Sequence, residues 1–242
     1  MKSLGRYLIF MGKIFSNREP LRVYIKLFFE ECILIGIDSL TIVVIVSVFI
    51  GAVMCVQTAY NLVSPLIPTY VIGVIVRDMT LLEVAPTFTA IVFAGKVGSN
   101  IAGGLGTMKI TEQVDALEVM GINSASYLVL PKILAGIFMY PLLVVLAGFL
   151  AMYGGYLAGT LAGVITEEEY IYGIRADFIP LNVTFAVIKS YVFAFLIVTI
   201  SAYKGYFTEG GALEVGKSST KAVTNSCISI LIADFLLAQF LI

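Results

Sequence analysis

The sequence predicts an all-α membrane protein with about five transmembrane helices, and three observations carry that prediction. Of 242 residues, 60% are hydrophobic and only 13% charged, whereas soluble domains are nearer half apolar and a quarter charged. The mean hydropathy is +1.01. Five stretches also reach the roughly 20 mainly apolar residues that cross a bilayer.

Residues 1–32 form a basic, amphipathic segment that suits helices lying in the membrane interface. It mixes Tyr7, Leu8, Ile9, Phe10, Ile14, Phe15, Phe28 and Phe29 with Lys2, Arg6, Lys13, Arg18, Arg22 and Lys26. Leu8–Met11 is too short, and too soon interrupted by Lys13, to be the core of a cleaved signal peptide. Residues 33–242 form the membrane domain. Its first span covers about 33–59 and ends at Asn61-Leu-Val-Ser-Pro-Leu-Ile-Pro68, a break marked by Asn and two prolines. The second covers about 70–101, with Arg77 and Asp78 near its start and Glu83 inside. The third covers about 133–163, longer than one bilayer thickness, so it tilts or leaves the membrane near Gly163. The fourth covers about 178–203 and holds Lys189; the fifth covers about 222–242 and holds Asp234.

Lysine and arginine in short loops set orientation. Lys96, Lys109 and Lys132 lie between spans two and three, and Lys204, Lys217 and Lys221 between four and five, on the side of the basic N-terminus. The opposite side holds Arg175 and Arg77 with Glu167, Glu168, Glu169 and Asp177. The expectation is a multi-pass protein with a cytoplasmic N-terminus and an external C-terminus.

Between spans two and three, residues 107–121 read as one amphipathic helix. Ile110, Val114, Leu117 and Gly121 recur at helical spacing beside Met120, while Thr111, Glu112, Asp115 and Glu118 fall opposite. Gly121 suits a C-cap. Such a helix can press its apolar face to the membrane domain and offer Lys109, Thr111, Glu112, Gln113, Asp115 and Glu118 to a soluble partner. On the pattern alone a simple interfacial helix with a solvated acidic face is the preferred reading.

Chemistry is restricted by what is missing. There is no histidine, the usual general base and metal ligand. Cys32, Cys55 and Cys227 are widely spaced, so neither a metal site nor a redox pair is expected. A net charge of −1 argues against a nucleic-acid surface. Gly211-Ala-Leu-Glu-Val-Gly-Lys-Ser218 satisfies the phosphate-loop pattern. That pattern works between a strand and a helix of an α/β domain, and here an apolar span precedes it, so nucleotide binding is not expected. Ionisable groups at membrane depth are functional candidates by default. Glu83 and Gln57 are the cavity candidates, Lys189 and Asp234 the candidates for an intramembrane charge pair, with a Glu83–Lys189 structural pair as the alternative for Glu83.

The segments Glu83-Val-Ala-Pro86, Phe93-Ala-Gly-Lys-Val-Gly-Ser99, Gly106-Thr-Met108, Thr111-Glu-Gln113, Ala116 and Met120 resemble the signature of MlaE/YrbE-type permeases, the membrane subunits of lipid-moving ABC transporters. Tyr127 to Lys132 and Gly205 to Thr220 are similar too. Leu82, Lys96, Gly104 and Ser124 depart from it, standing where the family has Arg, Arg, Glu and Pro. The resemblance implies a homodimer working with a cytoplasmic ABC ATPase dimer and a periplasmic MCE-domain protein, with a STAS-domain regulator left open. It implies phospholipid as the cargo, a Gram-negative inner membrane as the location, and residues 107–121 as the coupling helix. No catalytic residue or cofactor belongs to this chain on that reading, because ATP is hydrolysed by the partner subunit. Two rivals remain: a secondary transporter relaying ions or protons through Glu83, Lys189 and Asp234, and a membrane anchor that recruits a partner.

Overall fold

A computed structural model describes residues 2–16, 20–62 and 67–241. Arg18 and residues 63–66 of the first interhelical break lie outside the described residues. Among the described residues the chain is helical without strands, as an all-α membrane protein should be. Helix α1 spans Lys2–Ile14 and α2 Leu21–Cys32; a π-wound turn, Ile33–Ile37, joins α2 to α3, Asp38–Asn61. A second helical run begins with α4, Tyr70–Met79. It continues through a π-wound stretch, Thr80–Phe88, then α5, Thr89–Phe93, a π turn at Ala94–Gly98, and α6, Ser99–Ile110. Helix α7 is Gln113–Val119, α8 Ser124–Leu161, α9 Glu167–Arg175, α10 Pro180–Tyr206 and α11 Ala212–Leu241.

Among the described residues, four of these are long and apolar enough to cross a membrane: the run Leu21–Asn61, α8, α10 and α11. The second expected span, 70–101, lies in the run Tyr70–Ile110, which alternates α and π winding. The third starts earlier than 133, because Pro131 and Lys132 sit inside α8. It ends at Leu161, and Gly163 then turns the chain with φ +68°.

The chain forms two compact units. The first comprises Met1–Ser39, Ala90–Tyr140 and Tyr191–Leu236. In it the N-terminal helices are docked rather than loose. Phe10 is fully buried and stacks against Tyr203, Tyr206 and Phe207, while the Tyr7 hydroxyl donates to Thr199 Oγ1 at 2.7 Å. Asn123 Nδ2 donates to the Lys13 and Ser16 carbonyls at the end of α1, and Lys132 pairs with Glu31 of α2.

The second unit comprises Leu40–Thr89, Pro141–Ser190 and Leu237–Ile242. Cys55, Ile72, Val76, Ile165 and Tyr170 form a buried cluster there. Helices α3 and α8 touch backbone to backbone: a Cβ on Gly51 would sit 1.8 Å from the Ala151 carbonyl oxygen, and one on Gly154 2.1 Å from that of Val48. Lipid tails are as apolar as leucine, so close approach through small residues, with its dispersion contacts, holds such helices together. On α8, Ala151, Gly155 and Gly159 thus meet residues of their own chain.

Candidate functional site

Pro86 shapes the first candidate site. Proline lacks an amide hydrogen, and in an α-helix its ring collides with the carbonyl four residues back. That carbonyl belongs to Leu82, and the segment around it is wound as a π-helix, whose bonds reach five residues. Lys189 Nζ, from α10, donates to the Leu82 oxygen at 2.9 Å and to Glu83 Oε1 at 3.0 Å. Glu83 Oε2 accepts from the Thr87 hydroxyl at 3.2 Å. Thr80 Oγ1, at the start of the same stretch, is buried without a partner.

Exposure within the pair is unequal. The Lys189 side chain is 3% exposed and that of Glu83 42%. The cation is therefore a fixed internal charge, and the carboxylate presents an open edge that can accept a hydrogen bond from a hydroxyl or ammonium group. Of the charge-pair candidates, Lys189 takes Glu83 as a partner, and Asp234 lies on α11. Gln57 is exposed on α3. Thr87 escaped the sequence reading, although its i, i+4 spacing from Glu83 is the signal that reveals it.

Arg77 corrects the sequence reading. It was counted among loop charges, yet it is 1% exposed. Its guanidinium donates to Asp78 Oδ1 at 2.9 Å and to the carbonyls of Ile174, Ala176 and Asp177, with the Phe178 ring 5.8 Å away. It thereby satisfies the orphaned carbonyls that end α9. Beside it lies an apolar cavity of about 210 Å³, lined by Leu81, Ala85, Val144, Gly148 and Ala186 among others. Neither Glu83 nor Gln57 lines that cavity.

The second candidate site is the segment 107–121, and here the structure divides what the period reads as one helix. Helix α6 ends at Ile110, where the Thr111 hydroxyl bonds back to the Thr107 carbonyl at 2.8 Å, an arrangement that bends helices. Glu112 then adopts a left-handed φ of 61° before α7 begins. Lys109 and Asp115 form an ion pair across the break. Val114 is buried and Leu117 half-buried, but Met120 is 66% exposed and so is not part of the buried face. Gly121 caps α7 with φ +81°: its amide bonds to the Glu118 carbonyl and that of Ile122 to Leu117, the paired bonds of a Schellman motif.

Glu118 also has a structural task. Its Oε1 accepts from the Ser124 hydroxyl at 2.9 Å and the Tyr206 hydroxyl at 3.0 Å, tying α7 to α8 and α10. Thr111, Glu112, Gln113 and Asp115 are exposed.

Gly211–Ser218 is not a phosphate loop. It is helical from Ala212, Lys217 pairs with Glu214 one turn back, and Ser218 Oγ donates to the Lys204 carbonyl.

Comparison with known proteins gives these sites a context. The family model described as Permease MlaE matches residues 28–240. A probable ABC transporter permease protein of Rickettsia bellii is 35% identical over 240 residues, covering 98% of this chain and 92% of its own. One from Synechocystis is 34% identical, covering 94% and 86%. The chloroplastic protein trigalactosyldiacylglycerol 1 of Arabidopsis thaliana is 33% identical over 214 residues, covering 85% of this chain and 58% of its own. A match over nearly the whole chain, through both candidate sites, shows that this protein belongs to the MlaE family of ABC transporter permeases.

Proposed function

We propose that this permease moves phospholipid, and that the carrying observation is the Lys189–Glu83 pair. A buried ammonium holds a half-open carboxylate in a π-wound helix, and π segments occur often at functional sites. Such a carboxylate can hold the polar end of a lipid whose tails lie against apolar helices. A galactolipid's name on the plant relative supports a lipid cargo. Gln57 is a weaker contact for the same cargo, and Asp234 a further charge available to it.

The driving force comes from a separate cytoplasmic ABC ATPase dimer acting on a permease homodimer in a bacterial inner membrane, with a periplasmic MCE-domain protein as lipid donor or acceptor. The N-terminus is cytoplasmic and the C-terminus periplasmic. Helix α7 and the break before it form the coupling element. Its exposed Glu112 and Gln113 face the ATPase, while Lys109–Asp115 and Glu118 keep the element stiff enough to transmit motion.

Affinity purification of the tagged chain in mild detergent, with an ATPase assay on the eluate, tests this. The expected result is a stoichiometric ATPase whose recovery falls roughly tenfold with Glu112→Lys plus Gln113→Lys, the effect of about 1.4 kcal/mol of lost interface affinity. A chain that purifies with no ATPase would overturn the reading in favour of ion-coupled transport through Glu83, Lys189 and Asp234.

A further inference from the structure

We infer that a basic pocket between α1, the end of α10 and the start of α11 binds the phosphate of an anionic phospholipid headgroup, at a site separate from the Glu83–Lys189 pair. The pocket has a volume of about 290 Å³. Arg6, Lys204, Lys217 and Lys221 line it, against the carboxylates of Glu209 and Glu214. Glu214 is already engaged by Lys217 at 2.7 Å. Three cations then face the single carboxylate of Glu209, an imbalance that an entering anion relieves.

The pocket is built by packing rather than assembled from mobile surface lysines. Tyr7 and Phe10 fix α1 on α10, which sets Arg6 one residue from the hydrogen-bonded Tyr7. The Lys204 carbonyl accepts from both Thr208 Oγ1, at 2.9 Å, and Ser218 Oγ, at 2.7 Å, which locks the turn between α10 and α11. The Lys204 ammonium lies 6.0 Å from the centre of the Tyr203 ring.

The occupant follows from the surroundings. Leu8 and Ile9 on α1, and Phe15 just after it, are 62%, 66% and 49% exposed, an apolar face that an interfacial helix immerses at headgroup depth. Basic pockets among transmembrane helices at that depth bind anionic headgroups. A nucleotide is the wrong ligand: the segment is helical from Ala212 rather than a loop between a strand and a helix, and the Glu214 and Val215 amides bond the Gly211 carbonyl.

Native mass spectrometry of the full-length, detergent-purified chain tests the assignment, using phosphatidylglycerol and phosphatidylcholine with matched acyl chains. Phosphatidylglycerol should stay bound at collision energies that strip phosphatidylcholine. Lys217→Gln plus Lys221→Gln should weaken that retention about twenty-five-fold, the product of a roughly fivefold contribution from each cation near an anionic surface. Lys217→Arg plus Lys221→Arg should preserve it, and so should Glu83→Gln. Equal retention of both lipids by the unaltered chain would sink the proposal, and that comparison needs no variant to fold. Unchanged retention in the double Gln variant would sink it too. Displacement of phosphatidylglycerol by millimolar inorganic phosphate would make the occupant a soluble anion and overturn the lipid assignment. Because no ATPase takes part, failure here leaves the permease reading standing.

Discussion

Lys189 and Glu83 share an ion pair whose two halves answer differently to mutation. Removing one partner of a buried pair usually costs about 3–5 kcal/mol, because the remaining charge stays desolvated. Glu83 is half-open, so water screens part of that cost. Glu83→Gln should therefore destabilise the purified chain by roughly 1–3 kcal/mol. The double variant Glu83→Gln with Lys189→Met should lose less than the two single losses added together. Unfolding of the four proteins in one detergent checks this, and strict additivity would show that the two groups are not coupled. The need for partners was legible in the sequence, since bare charges do not survive at membrane depth. The sequence left two pairings open for Lys189, with Glu83 or with Asp234, and did not choose between them: Lys189 and Glu83 are 106 residues apart, and the Leu82 carbonyl that completes the site has no side-chain signature.

Helix α9 shows the same division at the scale of an element. Thr166-Glu-Glu-Glu169 was read only for its charge, as a marker of sidedness. It is the first turn of a helix closed by a capping box, in which Thr166 Oγ1 accepts from the Glu169 amide and the Glu169 carboxylate accepts from the Thr166 amide. The Thr69 hydroxyl bonds the same carboxylate. These hydrogen bonds, that from Thr69 foremost, hold the Glu169 carboxyl below its usual value of 4.5. The stabilisation is thus present above 4.5 and is lost as pH falls through the lower, folded value. Amide exchange of α9 should accelerate on acidification, and Glu169→Gln should remove most of that response. Thr166→Ala should loosen the helix by about 1 kcal/mol at neutral pH. The segment 107–121 was misread for a different reason. A periodicity argument assumes continuous winding, and neither the back-bond of Thr111 nor the left-handed Glu112 alters the spacing of apolar residues. The π winding of Thr80–Phe88 was hidden likewise, although Pro86 marked where regular α winding had to yield.

Across the whole molecule, hydropathy made the all-α membrane class legible, because composition reports the solvent directly. Sidedness rests on loop charge and is open to test. In a background where Cys32, Cys55 and Cys227 are replaced by serine, Glu168→Cys should react with an impermeant maleimide from outside intact cells. Lys217→Cys should react only after permeabilisation, and the reverse pattern would invert the topology. The docking of α1 bears on how the chain is made. Tyr7 finds Thr199 across 192 residues, and the rings around Phe10 come from the same late helix. At a synthesis rate of roughly 5–20 residues per second, the first helix waits on the order of 10–40 s for the surface that buries it. Through that interval α1 is held only by the bilayer, and its exposed leucine and isoleucine, Leu8 and Ile9, are what keep the nascent N-terminus from straying.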